Sequence, residues 1–328
     1  MKPISLIIQA LATGAAVAAM LAAGTTHAQD AWPAKPIRII HGFSPGAATH
    51  AVSQDVGEVL KAAYGAQYFV EAKPGAGGNI GTDVVAKAAP DGYTLLLGTA
   101  GSHAINPSLY PNLPFNVMRD FEPITLLADL PNVLIVPKNS PYNTVQELVV
   151  AAKARPGSLN YGSSGNGTSM HLAGEQFKAA AGVDILHVPF KESAHALTAL
   201  IGGQIQATFH QLAAVLPQIK AGNVKALAVT SRQRVAALSD VPTVAESGYP
   251  GFESITWYAL YTPAKTPKPI VDKINSAVTA ALRGELGKKI LANGSVPRPS
   301  TPAELTAAMV KDGAQWKAVI DRVGAKLD

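Results

Sequence analysis

The sequence predicts an α/β protein with two lobes joined by two crossing strands. Short apolar runs alternate with helical patterns, which is typical of sheets covered by helices. Once a 28-residue leader is subtracted from the 328 residues, 300 remain, and this is more than a single core usually holds. Two long extended stretches, FEPITLLADLPNVLIVP and YPGFESITWYALYTP, contain no helical pattern and are long enough to leave one sheet and enter another.

Residues 1–28 predict a secretory signal peptide. Lys2 supplies the positive start, LIIQALATGAAVAAMLAA the apolar stretch, and Thr26-His27-Ala28 a small-residue cleavage site. Polar sequence follows at once, so this segment does not have the pattern of a membrane span. We therefore expect an exported, periplasmic protein whose mature chain begins at Gln29.

Composition narrows the class of partner. The formal net charge is +5, and removing Lys2 with the leader leaves +5 − 1 = +4. Charged residues make up only 15% of the chain, which is low for a nucleic-acid-binding protein, whereas a mild positive charge suits acidic small molecules. The chain has no cysteine, which fits a bacterial periplasm.

The first lobe is predicted from a strand–helix–strand–helix–strand order. The strands are PIRIIHGF, QYFVEAK and YTLLLGT; helices are expected at about 49–63, through residue 89, and around 103–110. This order implies a parallel sheet with right-handed crossovers. The predicted lobe boundaries are 29–128 plus 254–328 for the first lobe and 129–253 for the second.

The second lobe is predicted from the same alternation. The helix TVQELVVAAKA precedes the strand LNYG, a glycine loop and a helix over about 168–181. ILHVPF, IQATFH and VKALAVT are the further strands, and AHALTALIGG is a helix. The remaining sequence, from KPIVDKINSAVTAALR onward, has helical periodicity.

The glycine loop within NYGSSGNGTSMHLAGEQF, residues 160–177, predicts an anion site. A loop of small residues that opens a helix leaves backbone N–H groups directed at one place, and this place favours negative charge. RIIHGFSPGAATHAVSQDVGEVL has a similar order of strand, loop, Thr, His and helix. Two lobes that present such helix starts to each other would form a clamp for a small anion. Alternatively, the loop is only a tight strand–helix turn.

Several segments together resemble the Bug-type receptors of tripartite tricarboxylate transporters. They are KPGAGGNIGTDVVAKAAPDGYTLLLGT, NPSLYPNLPF, DFEPITLL, YGSSGNGTSMHLAGE and VPTVAESGYPGFE, and the resemblance runs from Trp32 to the C-terminus. It implies a type II-like, Venus-flytrap periplasmic binding protein that is a monomer without a cofactor. It further implies that the lobes close on a carboxylate, which is then delivered to membrane permease subunits.

The resemblance also implies a set of ligand-binding residues. They belong to the loop after the first strand, to the end of the third strand and to the glycine loop, and they are Phe43, Ser44, Gly46, Ala47, Gly98, Thr99, His103, Ser163, Ser164, Gly165 and Thr168.

Three histidines depart from the family pattern. His50 and His210 stand where the family usually has Asp, and His195 is added in the segment after VPF. An imidazole in place of a carboxylate opposes an amine and tolerates a second carboxylate. We therefore count these histidines among the candidate ligand-binding residues. We expect a dicarboxylate, with aromatic acids among the candidates, rather than an amino acid.

Enzyme and metal motifs are not complete. The third glycine of GAGGNIG falls at Gly81, one position late for a dinucleotide fingerprint, and GSSGN does not fit a nucleophile elbow. The histidines lack metal-ligand spacing. We expect no catalytic residue and no metal. Two alternatives stay open: a sensory receptor that contacts a signalling partner, and a hydrolase using Ser164 with a nearby His.

Overall fold

The computed structural model describes residues 32–45 and 47–324. The predicted signal peptide and Gly46 lie outside the described residues. Within them, no helix combines the length and apolarity needed to span a membrane.

The described residues form ten β-strands and ten α-helices. The strands are β1 Ile37–His41, β2 Tyr68–Ala72, β3 Thr94–Thr99, β4 Phe121–Pro137, β5 Asn160–Ser163, β6 Leu186–Pro189, β7 Ala207–Gln211, β8 Val224–Val229, β9 Ile255–Pro263 and β10 Val296–Pro297. The helices are α1 Ala48–Tyr64, α2 Asn79–Ala86, α3 Asn106–Leu109, α4 Val145–Ala154, α5 Ser169–Ala181, α6 Ser193–Ile201, α7 Leu212–Lys220, α8 Lys268–Arg283, α9 Glu285–Ala292 and α10 Pro302–Val323.

The strand order is β2-β1-β3-β9-β4-β7-β5-β6, with β8 and β10 also paired to β4. β1 is parallel to β2 and β3, as the alternation of strands and helices predicts. β5 is likewise parallel to β6 and β7. β9 is antiparallel to both β3 and β4, because it enters the first-lobe sheet from the opposite end.

β4 is the strand that connects the two lobes, and its bounds coincide with the predicted extended stretch. Its first part, from Phe121 to Pro131, pairs with β9, and the following residues pair with β7 and β8. The chain crosses back to the first lobe beside β4. At this crossing the Thr230 hydroxyl lies 3.0 Å from the carbonyl of Asn132 and 2.6 Å from that of Ser254. The numbered lobe boundaries themselves stay a prediction.

Helices cover both faces of each part of the sheet. In β1, Ile39 packs in one core cluster with α1 and α8, while Ile40 packs in another with α10. Leu134 and Ile135 of β4 divide in the same way between two clusters of the second lobe. Strands buried on both faces have continuous apolar sequences, which is why these runs show no alternation.

One predicted helix is built differently. The segment predicted as a helix around 103–110 consists of a π-helical turn, Gly101–Ile105, followed by the short helix α3. Pro107 lies in the first turn of α3 and has no N–H to donate, so it limits how this segment continues the hydrogen-bond ladder. The π-turn borders the cavity described next.

Candidate functional site

A cavity of about 580 Å³ lies between the two lobes and forms the candidate site. Its wall combines first-lobe segments after β1 and β3, second-lobe segments after β5, β6 and β7, and the start of β9. This volume suits a small organic molecule.

The N-terminal ends of four helices meet at this cavity. Ala48 of α1, Ser169 of α5 and Ser193 of α6 are first helical residues in the wall, and Gln211 precedes α7 there. The N-caps of α1, α6 and α7 make no side-chain capping hydrogen bond. The first N–H groups of a helix have no acceptor within it. The cavity therefore collects backbone donors and the positive ends of four helix dipoles.

The side chains of the wall are uncharged. None of its described residues is Asp, Glu, Lys, Arg or His. Part of the wall is apolar, with Phe43, Ile105, Leu109, Leu130 and Tyr258. The site can therefore accept negative charge through amides and hydroxyls while it packs against an apolar body.

Four of the residues implied by the resemblance lie in this wall: Phe43, Ala47, Thr99 and Thr168. Thr168 is also the N-cap of α5, where its hydroxyl accepts from the N–H of His171 at 3.4 Å. That these four contact ligand stays a prediction. Ser44 is exposed, and its carbonyl accepts from Ala47 N–H at 3.1 Å.

The glycine loop reaches the cavity with residues other than those predicted. Asn166 and Gly167 lie in the wall, whereas Ser163, Ser164 and Gly165 do not. Ser163 is fully buried and its hydroxyl bonds the backbone of Gly165 at 3.1 Å. Gly165 has φ +115°, a conformation that L side chains rarely adopt, so the glycine is needed to shape the loop.

Gly98 and His103 lie in the first-lobe core rather than in the wall. His103 is 1% exposed and stacks on Tyr261 with 4.1 Å between ring centroids. Its Nδ1 lies 2.8 Å from the Ser102 hydroxyl, and burial lowers its pKa to about 3. A Cβ on Gly98 would approach the Tyr261 ring to 2.7 Å, so the glycine makes room for this stack.

The three histidines that depart from the family pattern also lie outside the wall. Nδ1 of His50 is 3.1 Å from Nε2 of His41. His195 is an exposed residue of α6. His210 is 2% exposed, with its ring nitrogens 3.3 Å from the carbonyls of Ser193 and Gln211, and burial lowers its pKa. Contact between these histidines and a ligand stays a prediction.

Sequence reasoning missed several wall residues. They are Asn106, Tyr110, Ser193, Gln211 and the start of β9, Thr256 to Tyr258. Helix-start patterns could have indicated Ser193. Trp257 is buried at this edge of the wall, and its indole N–H donates to Asp312 at 2.8 Å.

The hydrolase alternative gains no geometric support. Among the described residues, two serine hydroxyls approach a histidine: that of Ser102, 2.8 Å from Nδ1 of His103, and that of Ser163, 2.6 Å from Nε2 of His187. Both serines are buried, so neither hydroxyl faces the cavity as a nucleophile would. Burial, with a further effect of His171, lowers the His187 pKa to about 4. Within residues 32–45 and 47–324 no group of three metal-binding side chains could hold an ion.

Comparison with known proteins agrees with this geometry. Residues 52–325 match the model of the tripartite tricarboxylate transporter family receptor. The chain is 34% identical to Protein BugT of Bordetella pertussis over 300 residues, which cover 91% of this chain and 92% of BugT.

Two solved structures are similar over most of their length. R. palustris Rpa4515 with adipate has a TM-score of 0.81 and 35% identity, covering 90% of this chain and 100% of that one. MatC from Rhodopseudomonas palustris with bound malate has a TM-score of 0.75 and 31% identity, covering 88% and 100%. The chain therefore belongs to the Bug-type receptors of the tripartite tricarboxylate transporter family and has their two-lobed periplasmic binding protein fold.

Proposed function

We propose that this protein is a periplasmic receptor that captures a small organic dicarboxylate between its lobes and delivers it to membrane permease subunits. The proposal includes export through the N-terminal signal peptide and closure of the two lobes around the ligand. If the receptor delivers its ligand to a permease, the ligand-loaded receptor should co-purify with permease subunits of the same bacterium more strongly than the ligand-free receptor does.

The convergence of four helix N-termini on a cavity without charged side chains carries the proposal. Each helix end favours an anion by about 0.3–1 kcal/mol when exposed and up to about 2 kcal/mol when partly buried. Backbone N–H groups supply directed hydrogen bonds to carboxylate oxygens. The described wall has no carboxylate to pair with an ammonium group, so an amino acid would leave its amine without a charged partner.

The relatives and the apolar wall support the choice of ligand class. The similar structures Rpa4515 and MatC are described with adipate and with malate, and both of these ligands are dicarboxylates. In this chain the apolar residues Phe43, Ile105 and Leu130 border the same cavity as the helix ends. A ligand with an apolar body and terminal carboxylates would satisfy both parts of the wall.

Calorimetry with matched ligands tests the ligand class. Adipate and malate should bind, adipamide should not, and 6-aminohexanoate, in which an ammonium replaces one carboxylate, should bind more weakly than adipate. Absence of binding by both dicarboxylates, or equal affinity for adipamide, would refute the proposal.

One pair of variants tests the role of backbone donors. Ser169 is the first residue of α5, and the preceding Thr168 has φ −72° and ψ 160°, which a following proline accepts. Ser169→Pro removes one N–H and should weaken adipate binding about 10-fold or more, because hydrogen bonds to charged groups contribute about 1.5–3 kcal/mol. Ser169→Ala keeps the N–H and should retain most of the affinity. Equal affinity of both variants would show that this amide does not hold the ligand.

A further inference from the structure

Three polar side chains connect the cavity wall with the outer side of α1. Thr49 lies in the wall, and its hydroxyl oxygen is 3.2 Å from Nδ1 of His41. Nε2 of His41 is in turn 3.1 Å from Nδ1 of His50. His41 has no exposed surface, whereas His50 is partly exposed. Together they form a hydrogen-bonded path from the cavity toward solvent.

The middle member of this path is a neutral imidazole. Burial, and to a smaller extent the neighbouring His50, lowers the pKa of His41. A neutral imidazole has one N–H and one acceptor nitrogen. If Nε2 of His41 accepts a hydrogen bond, Nδ1 must donate, and the reverse also holds. The direction of the bond between His41 and the group at position 50 therefore fixes the direction of the bond between His41 and Thr49.

We propose that His50 is a positioning residue that makes Thr49 a hydrogen-bond donor to the ligand and thereby selects for carboxylates. The inference rests on the proposed function, because it requires an anion in the cavity. Nδ1–H of His50 donates to Nε2 of His41, and Nδ1–H of His41 donates to the Thr49 oxygen. The Thr49 O–H is then left to donate to a carboxylate oxygen.

A group at position 50 that only accepts would reverse the path. Nε2 of His41 would then carry the proton and donate outward, and the Thr49 hydroxyl would donate to Nδ1 of His41. Only oxygen lone pairs of Thr49 would face the ligand, and these repel a carboxylate. His50 thus acts on the ligand through two other side chains and needs no contact with it.

Asp and Asn at position 50 separate these cases. Oδ1 of Asp, Nδ2 of Asn and Nδ1 of His are all bonded to Cγ, so they can occupy the same place. His50→Asp offers an acceptor only, and we expect adipate affinity to fall about 10-fold or more. His50→Asn can present its N–H₂ group and should stay within about 3-fold of the wild type.

Charge and packing effects need their own controls. Gln54 is exposed one turn further along α1, so Gln54→Asp places a similar negative charge outside the path, and its effect should stay below about 3-fold. In a Thr49→Val background, His50→Asp should cause little further loss, because the responding hydroxyl is absent. An equal loss in both backgrounds, or an equal loss for Gln54→Asp, would overturn the inference.

The tautomer of His41 can be measured without ligand. Imidazole ¹⁵N shifts should show His41 protonated at Nδ1 in the wild type and in His50→Asn, and at Nε2 in His50→Asp. The same His41 tautomer in all three proteins would overturn the inference even if adipate binds the wild type. Absence of adipate and malate binding by the wild type would instead refute the proposed function, and the inference with it.

Discussion

His103 should make the protein less stable in mild acid, because the folded core holds its imidazole neutral. The side chain is 1% exposed, its Nε2 is buried without a hydrogen-bond partner, and burial lowers its pKa to about 3. In the unfolded chain a histidine titrates near 6.5. Below that pH the unfolded state binds a proton that the folded state excludes, so the free energy of unfolding falls as pH falls.

The expected loss follows from the interval between the unfolded pKa and the assay pH. At pH 5.0 this interval is about 1.5 units, and at about 1.36 kcal/mol per unit the loss is about 2 kcal/mol. At pH 7.5 the folded and unfolded states both hold His103 neutral, so nearly all of its stability contribution is present. Leucine at this position does not titrate and would remove the pH-dependent part.

Urea unfolding of the wild type and of His103→Leu at pH 7.5 and 5.0 measures the effect. Other histidines titrate in both proteins and cancel in the comparison. The variant should lose about 2 kcal/mol less than the wild type between the two pH values, whatever its stability at pH 7.5. The same loss in both proteins would show that His103 is not held neutral in the folded core.

Further predictions concern two helical glycines, a loop glycine and domain closure. Gly174→Ala should lower the free energy of unfolding by about 1–3 kcal/mol, because the new Cβ would lie 2.2 Å from the Tyr161 ring. Gly313→Ala should raise it by about 0.5–1 kcal/mol, because its Cβ would meet nothing closer than 3.8 Å. Urea unfolding measures both changes, and a change of the same sign in both variants would refute the packing argument. Gly165→Val, at φ +115°, should abolish adipate binding in calorimetry by distorting the loop, while unchanged affinity would separate the loop from the site. Small-angle scattering should show a smaller radius of gyration with saturating adipate than without it, and an unchanged radius would argue against closure.

The site was only partly predictable. Some of its residues are placed by the segment in which they lie, and others by contacts with segments that are distant in the sequence. Thr168 could be identified from the loop and helix start in which it lies, and it is both an N-cap and a wall residue. The position of His103 in the core could not be predicted in this way, because its burial depends on Tyr261, which a different strand brings beside it. His50 was expected to face the ligand, and the structure shows its ring directed at His41, a residue whose partner no spacing rule indicates.

The sequence by itself determined the family, the alternation of strands and helices, and the bounds of β4 as a strand connecting two lobes. These follow from hydrophobic periodicity and from motifs that are read along the chain. Only the tertiary structure decided which helix ends meet at one cavity and that the described wall contains no charged side chain. It also decided that Thr49, His41 and His50 form one path. The physical reason is that hydrogen-bond partners, burial and pKa depend on packing between segments that are distant in the sequence.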